Sequence, residues 1–228
     1  MKISALACLI FLAQPVVADT IAIIGTGNVG AALGPEFAEQ GHTIVYGSRD
    51  PSSDNVKALV ARTGDGTTAT TPANAVRDAD IVVLAVPGML VAEITQGLGD
   101  LSGKIIIDPT NPLKRTDSGL VHGVATSNAE IIQEMAAGAY VVKAFNALSW
   151  QTMVDPDSSG GPVSIPLAGN SDDAKATVAL LVEGMGLDAI DVGNVENARW
   201  VEGMLMLWIN NRYGSDRQSF DFHLRKTD

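Results

Sequence analysis

Short apolar runs alternate with amphipathic stretches along most of the chain, and this alternation predicts strands separated by helices. Thr20 to Ile24 (TIAII) reads as a strand that runs directly into Gly25. A helix is expected from about Val29 to Gln40, with Ala31, Ala32, Leu33, Phe37 and Ala38 on or near one face, and Gly41 ends it. Thr43 to Tyr46 is the next strand, Asn55 to Arg62 a short helix, Thr67 to Thr71 a weakly strand-like segment and Pro72 to Arg77 a helical turn. Asp80 to Val86 (DIVVLAV) is a continuous apolar run, the pattern of a parallel strand covered on both faces, and Pro87 stops it. Met89 to Gly97 reads as helix, Lys104 to Asp108 (KIIID) as strand, Asn128 to Ala137 as helix and Tyr140 to Ala144 (YVVKA) as strand. Val163 to Ala168 is a further strand, placed at a sheet edge by Pro166, which cannot donate to a ladder. A helix at Asp172 to Gly184, a short strand at Leu187 to Val192 and a long Met- and Trp-rich helix at Ala198 to Tyr213 complete the pattern. The architecture expected is α/β: an open, mostly parallel sheet with helices on both faces and a small C-terminal helical extension.

The amino terminus breaks this pattern. Residues 1–18 (MKISALACLIFLAQPVVA) carry Lys2, an apolar run from Ile3 to Ala13 and the small-residue end Val16-Val17-Ala18, which together read as a secretory signal peptide. Cleavage would leave a secreted or periplasmic protein; retention of the segment would leave a cytoplasmic one. The organisation expected is therefore a leader over 1–18, a nucleotide-binding unit over 19–154 and an extension over 163–228 that continues the sheet and forms an acceptor pocket or a dimer contact. The segment 155–162 (DPDSSGGP) is expected as a surface loop between the last two.

Composition narrows the function. The chain has 228 residues, 15 Lys+Arg against 26 Asp+Glu and a net charge of -11, a poor balance for gripping a nucleic-acid backbone. Its single cysteine, Cys8, excludes an intrachain disulfide and a cysteine metal cage, and no metal site is expected. No stretch of 18 or more uninterrupted apolar residues appears, so no integral membrane segment is expected.

The strongest local signal is Gly25-x-Gly27-x-x-Gly30 between a predicted strand and a predicted helix. The first glycine permits a tight turn, the second lets the backbone approach a pyrophosphate, and the third allows close packing of helix against strand. The phosphates would sit where the helix presents free N–H groups and its positive dipole end. At the end of the second strand, where NAD sites place an acid on the ribose, the chain reads Tyr46-Gly47-Ser48-Arg49-Asp50. Ser48 can donate to a phosphate oxygen and Arg49 can pair with a 2′-phosphate, which favours NADP over NAD. Lys57 and Arg62 are further phosphate candidates, and Asp50 can instead cap the following turn. Val86 and Pro87 would wall the nicotinamide end. Asn111 and Asn146 could orient a carboxamide or an acceptor carbonyl. Lys143 could pair with Asp108 or stabilise charge on a reduced ring. Asn111, Lys143 and Asn146 are thus the catalytic candidates. His122 could be a surface residue or a proton donor, and His42 and His223 are expected to be structural or inert. Trp200, Met204, Leu207 and Trp208 fall at helical spacing. They could form a platform for a flat ring or simply core and dimer packing, with Arg199 and Glu202 on the wetter face. The lack of an obvious acid–base group suits hydride transfer between rings, which depends mostly on placement.

These pieces resemble the NADPH-dependent coenzyme F420 reductase family. The matching blocks are IAIIGTGNVGAALGPEFAEQGHTIVYGSRDP, DIVVLAVP, GKIIIDPTNPL, VVKAFNALSW and GNVENARWVEGMLMLWI, over about residues 20–213. The resemblance implies a Rossmann-type sheet, a small extension that helps form the acceptor pocket, and often a homodimer. It also implies NADP held at Thr26, Gly27, Asn28, Val29, Ser48 and Arg49, and a hydride passed between the nicotinamide and the deazaflavin of F420. The chain departs from that pattern in Asn194-Val195-Glu196-Asn197, where relatives commonly carry a Gly-Pro-Leu-like run, and in its apparent leader. Readings kept beside this one are another flavin-like acceptor, a carbonyl or imine reductase, and a non-catalytic dinucleotide-binding sensor or scaffold.

Overall fold

The computed structural model describes residues 18–117, 119–213 and 220–227. The leader reading falls almost wholly on residues 1–17, outside the described residues. In chain order the elements are β1 (Thr20–Ile24), α1 (Asn28–Glu39), β2 (Thr43–Gly47), α2 (Asp54–Thr63), β3 (Thr68–Thr70), α3 (Pro72–Ala75), β4 (Ile81–Leu84) and α4 (Val91–Gln96). They continue with β5 (Ile105–Asp108), β6 (Leu113–Thr116), β7 (Gly119–His122), α5 (Asn128–Met135), β8 (Tyr140–Lys143) and α6 (Trp150–Val154). The chain then forms β9 (Ser164–Gly169), α7 (Asp172–Gly184), β10 (Asp188–Asp191) and α8 (Ala198–Tyr213).

Eight strands form one sheet in the order β10-β9-β8-β5-β4-β1-β2-β3, and β6 and β7 pair as a separate antiparallel ribbon. Every neighbouring pair of the large sheet is parallel except β8 and β9. This is a Rossmann-like α/β fold with a C-terminal helical extension. The period of two along each strand divides the core: Ile21 and Ile23 pack with Leu33, Phe37 and Val178 on one face, while Ala22 and Ile24 pack with Val76, Val91 and Ile132 on the other. Strand order reverses between β1 and β4, so a crevice opens at their carboxyl ends.

Several local expectations are corrected. Pro166 is not on an edge strand, because β9 lies between β8 and β10. Alternation puts Pro166 on the same side of β9 as Ser164, whose N–H donates to the Phe222 carbonyl, and Ala168, which pairs with Lys143. The missing N–H therefore falls in the gap between two pairings. The expected helix over Met89 to Gly97 divides into a 3-10 turn at Gly88–Leu90 and α4. Gly88 lies so close to the next loop that a Cβ there would come within 2.0 Å of the Asn111 carbonyl oxygen. The loop over 155–162 contains a 3-10 turn at Pro156–Ser159, closed by Gly160 at φ +78°. The β6–β7 ribbon and α6 were not expected.

Candidate active site

The turn between β1 and α1 is built by two glycines that cannot be replaced and one that faces open space. A Cβ on Gly25, at φ +105°, would lie 2.2 Å from the Ala85 carbonyl oxygen, so this glycine lets the turn press against the end of β4. A Cβ on Gly30 would lie 2.1 Å from the Gly25 oxygen, so it lets α1 pack onto the turn. Gly27 caps α1, with nothing within 4 Å of where its Cβ would be. Among the described residues no side chain caps this end, and the first-turn N–H groups have no helical partner. Gly27, Asn28 and Val29 form one side of a crevice of about 250 Å³; Leu84, Ala85, Val86, Pro87, Pro109 and Thr110 form the rest. Thr26 lies half-buried in the same turn. An open glycine, a free helix terminus and a narrow apolar wall together fit a dinucleotide pyrophosphate.

At the end of β2 the chain carries no acid before Asp50. Ser48 is half-buried, its backbone N–H donates to the Thr70 carbonyl, and its Oγ accepts from the Asp50 N–H at 3.2 Å. Arg49 is exposed, and no carboxylate among the described residues pairs with it. Asp50 organises the next turn by accepting from both the N–H and the hydroxyl of Ser52. Lys57 pairs with Asp54 at 3.6 Å and Arg62 donates to the Ala31 carbonyl, so Arg49 is the uncommitted cation of the group. Beneath it, Tyr46 is buried and its hydroxyl lies 2.8 Å from that of Thr63; burial pushes its phenol above the usual range.

The other end of the crevice rests on a closed ring of buried polar groups. Asp108, at the end of β5, accepts from the Thr110 N–H at 2.8 Å and the Thr110 hydroxyl at 2.6 Å. Lys143, at the end of β8, donates to Asp108 at 2.9 Å, to Glu202 of α8 at 2.7 Å and to the Thr110 carbonyl. Asn128 donates its backbone N–H to Glu202 at 2.8 Å and its amide to Thr110 Oγ1 at 2.7 Å. Lys143, Asp108 and Glu202 have no exposed side-chain surface. The Lys143 ammonium thus makes the Asp108 pair expected of it and is shut off from any ring in the crevice. Glu202 is not on a wet face, as its spacing suggests, but is buried. His122 joins the same ring through Glu202 at 2.8 Å.

Asn111 and Asn146 face each other. Asn111 donates to the Asn146 carbonyl at 3.0 Å, and the Asn146 amide donates to Asn111 Oδ1 at 3.0 Å and to the Val201 carbonyl at 3.1 Å. Phe145, between β8 and Asn146, holds a left-handed backbone at φ +61°. The Asn146 Oδ1 is buried with no partner among the described residues. His42 accepts from the Asp19 N–H at the far end of β1, and His223 lies 3.8 Å from Asp188. The α8 stripe divides: Trp208 is buried, Met204 half-buried, and Trp200 and Leu207 are 74% and 65% exposed. Among the described residues no group of three or more His, Cys, Asp or Glu side chains could hold a metal, and no helix is long and apolar enough to cross a membrane.

Sequence reasoning missed Glu202 and undervalued His122. Their partners are 59 and 80 positions away, and no local pattern reports such pairings.

Comparison with known proteins gives this geometry a family. The model of "NADP oxidoreductase coenzyme F420-dependent" matches residues 20–112. The F420-dependent NADP reductase of Methanothermobacter thermautotrophicus is 31% identical over 208 residues, covering 83% of this chain and 88% of that protein. The rat metalloreductase STEAP3 is 29% identical over 83% of this chain, which spans only 37% of that longer protein. A crystal structure of a proposed F420-dependent NADP reductase from Arthrobacter sp. FB24 superposes with a TM-score of 0.83 at 30% identity, covering 92% of this chain and all of that one. These relatives overturn the expected secreted or periplasmic location: they place the chain with reductases whose typical site is the cytoplasm, where NADP(H) is found. They also set aside the non-catalytic sensor. The chain belongs to the F420-dependent NADP reductase family and is an NADP(H)-using oxidoreductase.

Proposed function

We propose that NADP(H) lies across the β1–β4 crevice with its pyrophosphate on the first turn of α1, and that its hydride is exchanged with a flat deazaflavin or flavin ring, coenzyme F420 in the first instance. The observation that carries this reading is the open position at Gly27 above an uncapped helix terminus. The N–H groups of Asn28, Val29 and Gly30 would take the phosphate charge. Ser48 and Arg49 would hold the 2′-phosphate. Val86 and Pro87 would exclude water from one face of the nicotinamide, and the Asn111–Asn146 pair would border the acceptor. When bound, NADPH supplies the hydride; this chain's side chains supply placement.

The catalytic unit we infer is a homodimer. Trp200, Met204 and Leu207 share one face of α8 at spacings of four and three, and an exposed tryptophan and leucine there fit a second copy. Sedimentation of the wild type and of Trp200→Glu tests it: a dimer is expected for the first and a monomer for the second, and a monomeric wild type would sink it.

The acceptor is tested by mixing the protein anaerobically with NADPH and, in turn, F420, FMN, a quinone and a ferric chelate, the last because one relative is named a metalloreductase. F420 reduction with matching NADPH loss is expected. Tight NADPH binding with no turnover of F420 or FMN would end the ring-to-ring reading.

A further inference from the structure

The buried ring beneath the crevice contains a conflict that only one extra proton resolves. His122 Nδ1 lies 2.9 Å from the Val124 carbonyl oxygen, which can only accept, so Nδ1 carries a hydrogen. His122 Nε2 lies 2.8 Å from Glu202 Oε2. A neutral imidazole with its hydrogen on Nδ1 would point the Nε2 lone pair at a carboxylate oxygen. The other carboxylate oxygen, Oε1, already accepts from Lys143 Nζ at 2.7 Å and from the Asn128 N–H at 2.8 Å, so it cannot carry the hydrogen instead. One proton must therefore lie between Nε2 and Oε2. With it, the cluster of Lys143, Asp108, Glu202 and His122 is neutral. Without it, the cluster would bury a net negative charge at a cost that proteins avoid.

We propose that Glu202 and His122 share this proton, and that the bonding it permits fixes Thr110 at the floor of the crevice, making Glu202 a positioning residue for the nicotinamide half of the site. Glu202 holds Lys143 and Asn128; Lys143 holds the Thr110 carbonyl and Asn128 holds the Thr110 hydroxyl. Thr110 and its neighbour Pro109 line the crevice on the β5 side of the strand-order switch, away from Ser48 and Arg49. The charged groups facing the pair are Lys143 from β8 and Asp108 from β5. Arg199, one turn earlier on α8, is turned outward onto Glu130 of α5. The inference rests on NADP(H) occupying the crevice as proposed above.

The test joins a spectrum to a pair of ligands. In a 15N-resolved NMR spectrum at neutral pH, both ring nitrogens of His122 are expected to carry or share a hydrogen. In Glu202→Gln, Nε2 should become a bare acceptor, because the Gln amide can donate to it while its oxygen still serves Lys143 and Asn128. A bare Nε2 in the wild type would overturn the shared proton. Binding is measured by calorimetry for NADPH and for 2′-phospho-ADP-ribose, which lacks the nicotinamide. Glu202→Ala is expected to weaken NADPH at least about tenfold while changing 2′-phospho-ADP-ribose less than about twofold. Glu202→Gln should keep both within about threefold. Equal loss for both ligands, no loss for either, or loss of NADPH by Glu202→Gln would overturn the positioning role. If Glu202→Ala does not fold, the Gln variant and the spectrum still decide. A wild type that binds neither ligand would overturn the NADP(H) reading and with it the Thr110 step, while the His122 spectrum would still judge the proton.

Discussion

The two ends of the crevice are built on opposite principles. The β1–α1 end is left unfinished: Gly27 faces empty space, the helix terminus has no cap and Arg49 has no carboxylate partner among the described residues. The β5–β8 end is closed: Asp108, Lys143, Glu202 and Asn128 are buried and engage one another. Unmet donors cost little where water reaches them and become binding energy when a phosphate arrives. Buried charges have no such freedom and must be paired in the free protein. One end is thus specialised for affinity and the other for rigidity, so the same kind of side-chain change should give different symptoms at each.

The largest effect is expected at the closed end. Lys143→Met removes the cation that Asp108 and Glu202 share and leaves two carboxylates buried together. The loss of stability should be about 3–5 kcal/mol, read as the shift in a urea denaturation curve. A loss below about 1 kcal/mol would mean that water reaches the cluster and that the contrast between the two ends is false. At the open end, Arg49→Ala should leave the urea curve unchanged. It should weaken NADPH binding by about 1.5–3 kcal/mol, the range for a charge-assisted bond, while leaving NADH unaffected. Equal losses for the two cofactors would remove Arg49 from the 2′-phosphate.

Gly27→Ala sharpens the contrast further. The backbone at Gly27 is ordinary, with φ -79°, and an added methyl meets nothing in the free protein. Stability should change by no more than about 1 kcal/mol, because the entropy gained in replacing a glycine is offset by alanine being the poorer helix N-cap. The methyl would stand where the pyrophosphate approaches, and NADPH affinity should fall about tenfold, or about 1.4 kcal/mol. Gly25→Ala and Gly30→Ala, which would strike backbone atoms, should lose stability as well as binding. A Gly27→Ala protein that binds NADPH normally would mean the phosphates lie elsewhere.

The difference between the ends also explains what could be read in the sequence. The open end is local: strand, glycine turn and helix follow within about 20 residues, and each glycine has its own backbone reason to be there. The apolar runs of β1, β4, β5 and β8 and the bounds of α8 were legible for the same reason. The β6–β7 ribbon was not, because Leu113–Thr116 and Gly119–His122 are four-residue strands, and the first carries Lys114 and Arg115 in place of an alternating apolar face. Glu202 misled because a carboxylate on a helix is ordinarily solvated; what buries it is Lys143 on a strand 59 positions earlier. Asn111 and Asn146 stand out singly for their place after strands, but they lie 35 positions apart, and no local pattern announces their mutual bonding or the positive φ of Phe145 beside Asn146.

The smallest effect is expected where the two halves meet in solvent. Ser127 caps α5 by accepting from the Glu130 N–H, its hydroxyl donates to the Glu130 carboxylate, and that carboxylate also takes a two-pronged bond from Arg199 of α8. The Arg199 bond, helped by Ser127 and opposed by partial burial, holds the Glu130 carboxyl below its usual range. A carboxylate with a lowered folded-state pKa contributes stability that is complete above the ordinary glutamate range and is lost as the pH falls through the folded value. Glu130→Gln should therefore lower the thermal midpoint at neutral pH, by no more than about 3 °C because exposed pairs are screened. The gap between variant and wild type should close as the solution is acidified below the usual glutamate range. Strong salt should close it at neutral pH too, whereas the Lys143→Met deficit should persist in salt, since ions screen surface pairs far more than buried ones. A Glu130→Gln deficit that stayed constant with both acid and salt would assign the contact to packing of α5 against α8, and the ion pair would drop out of the account.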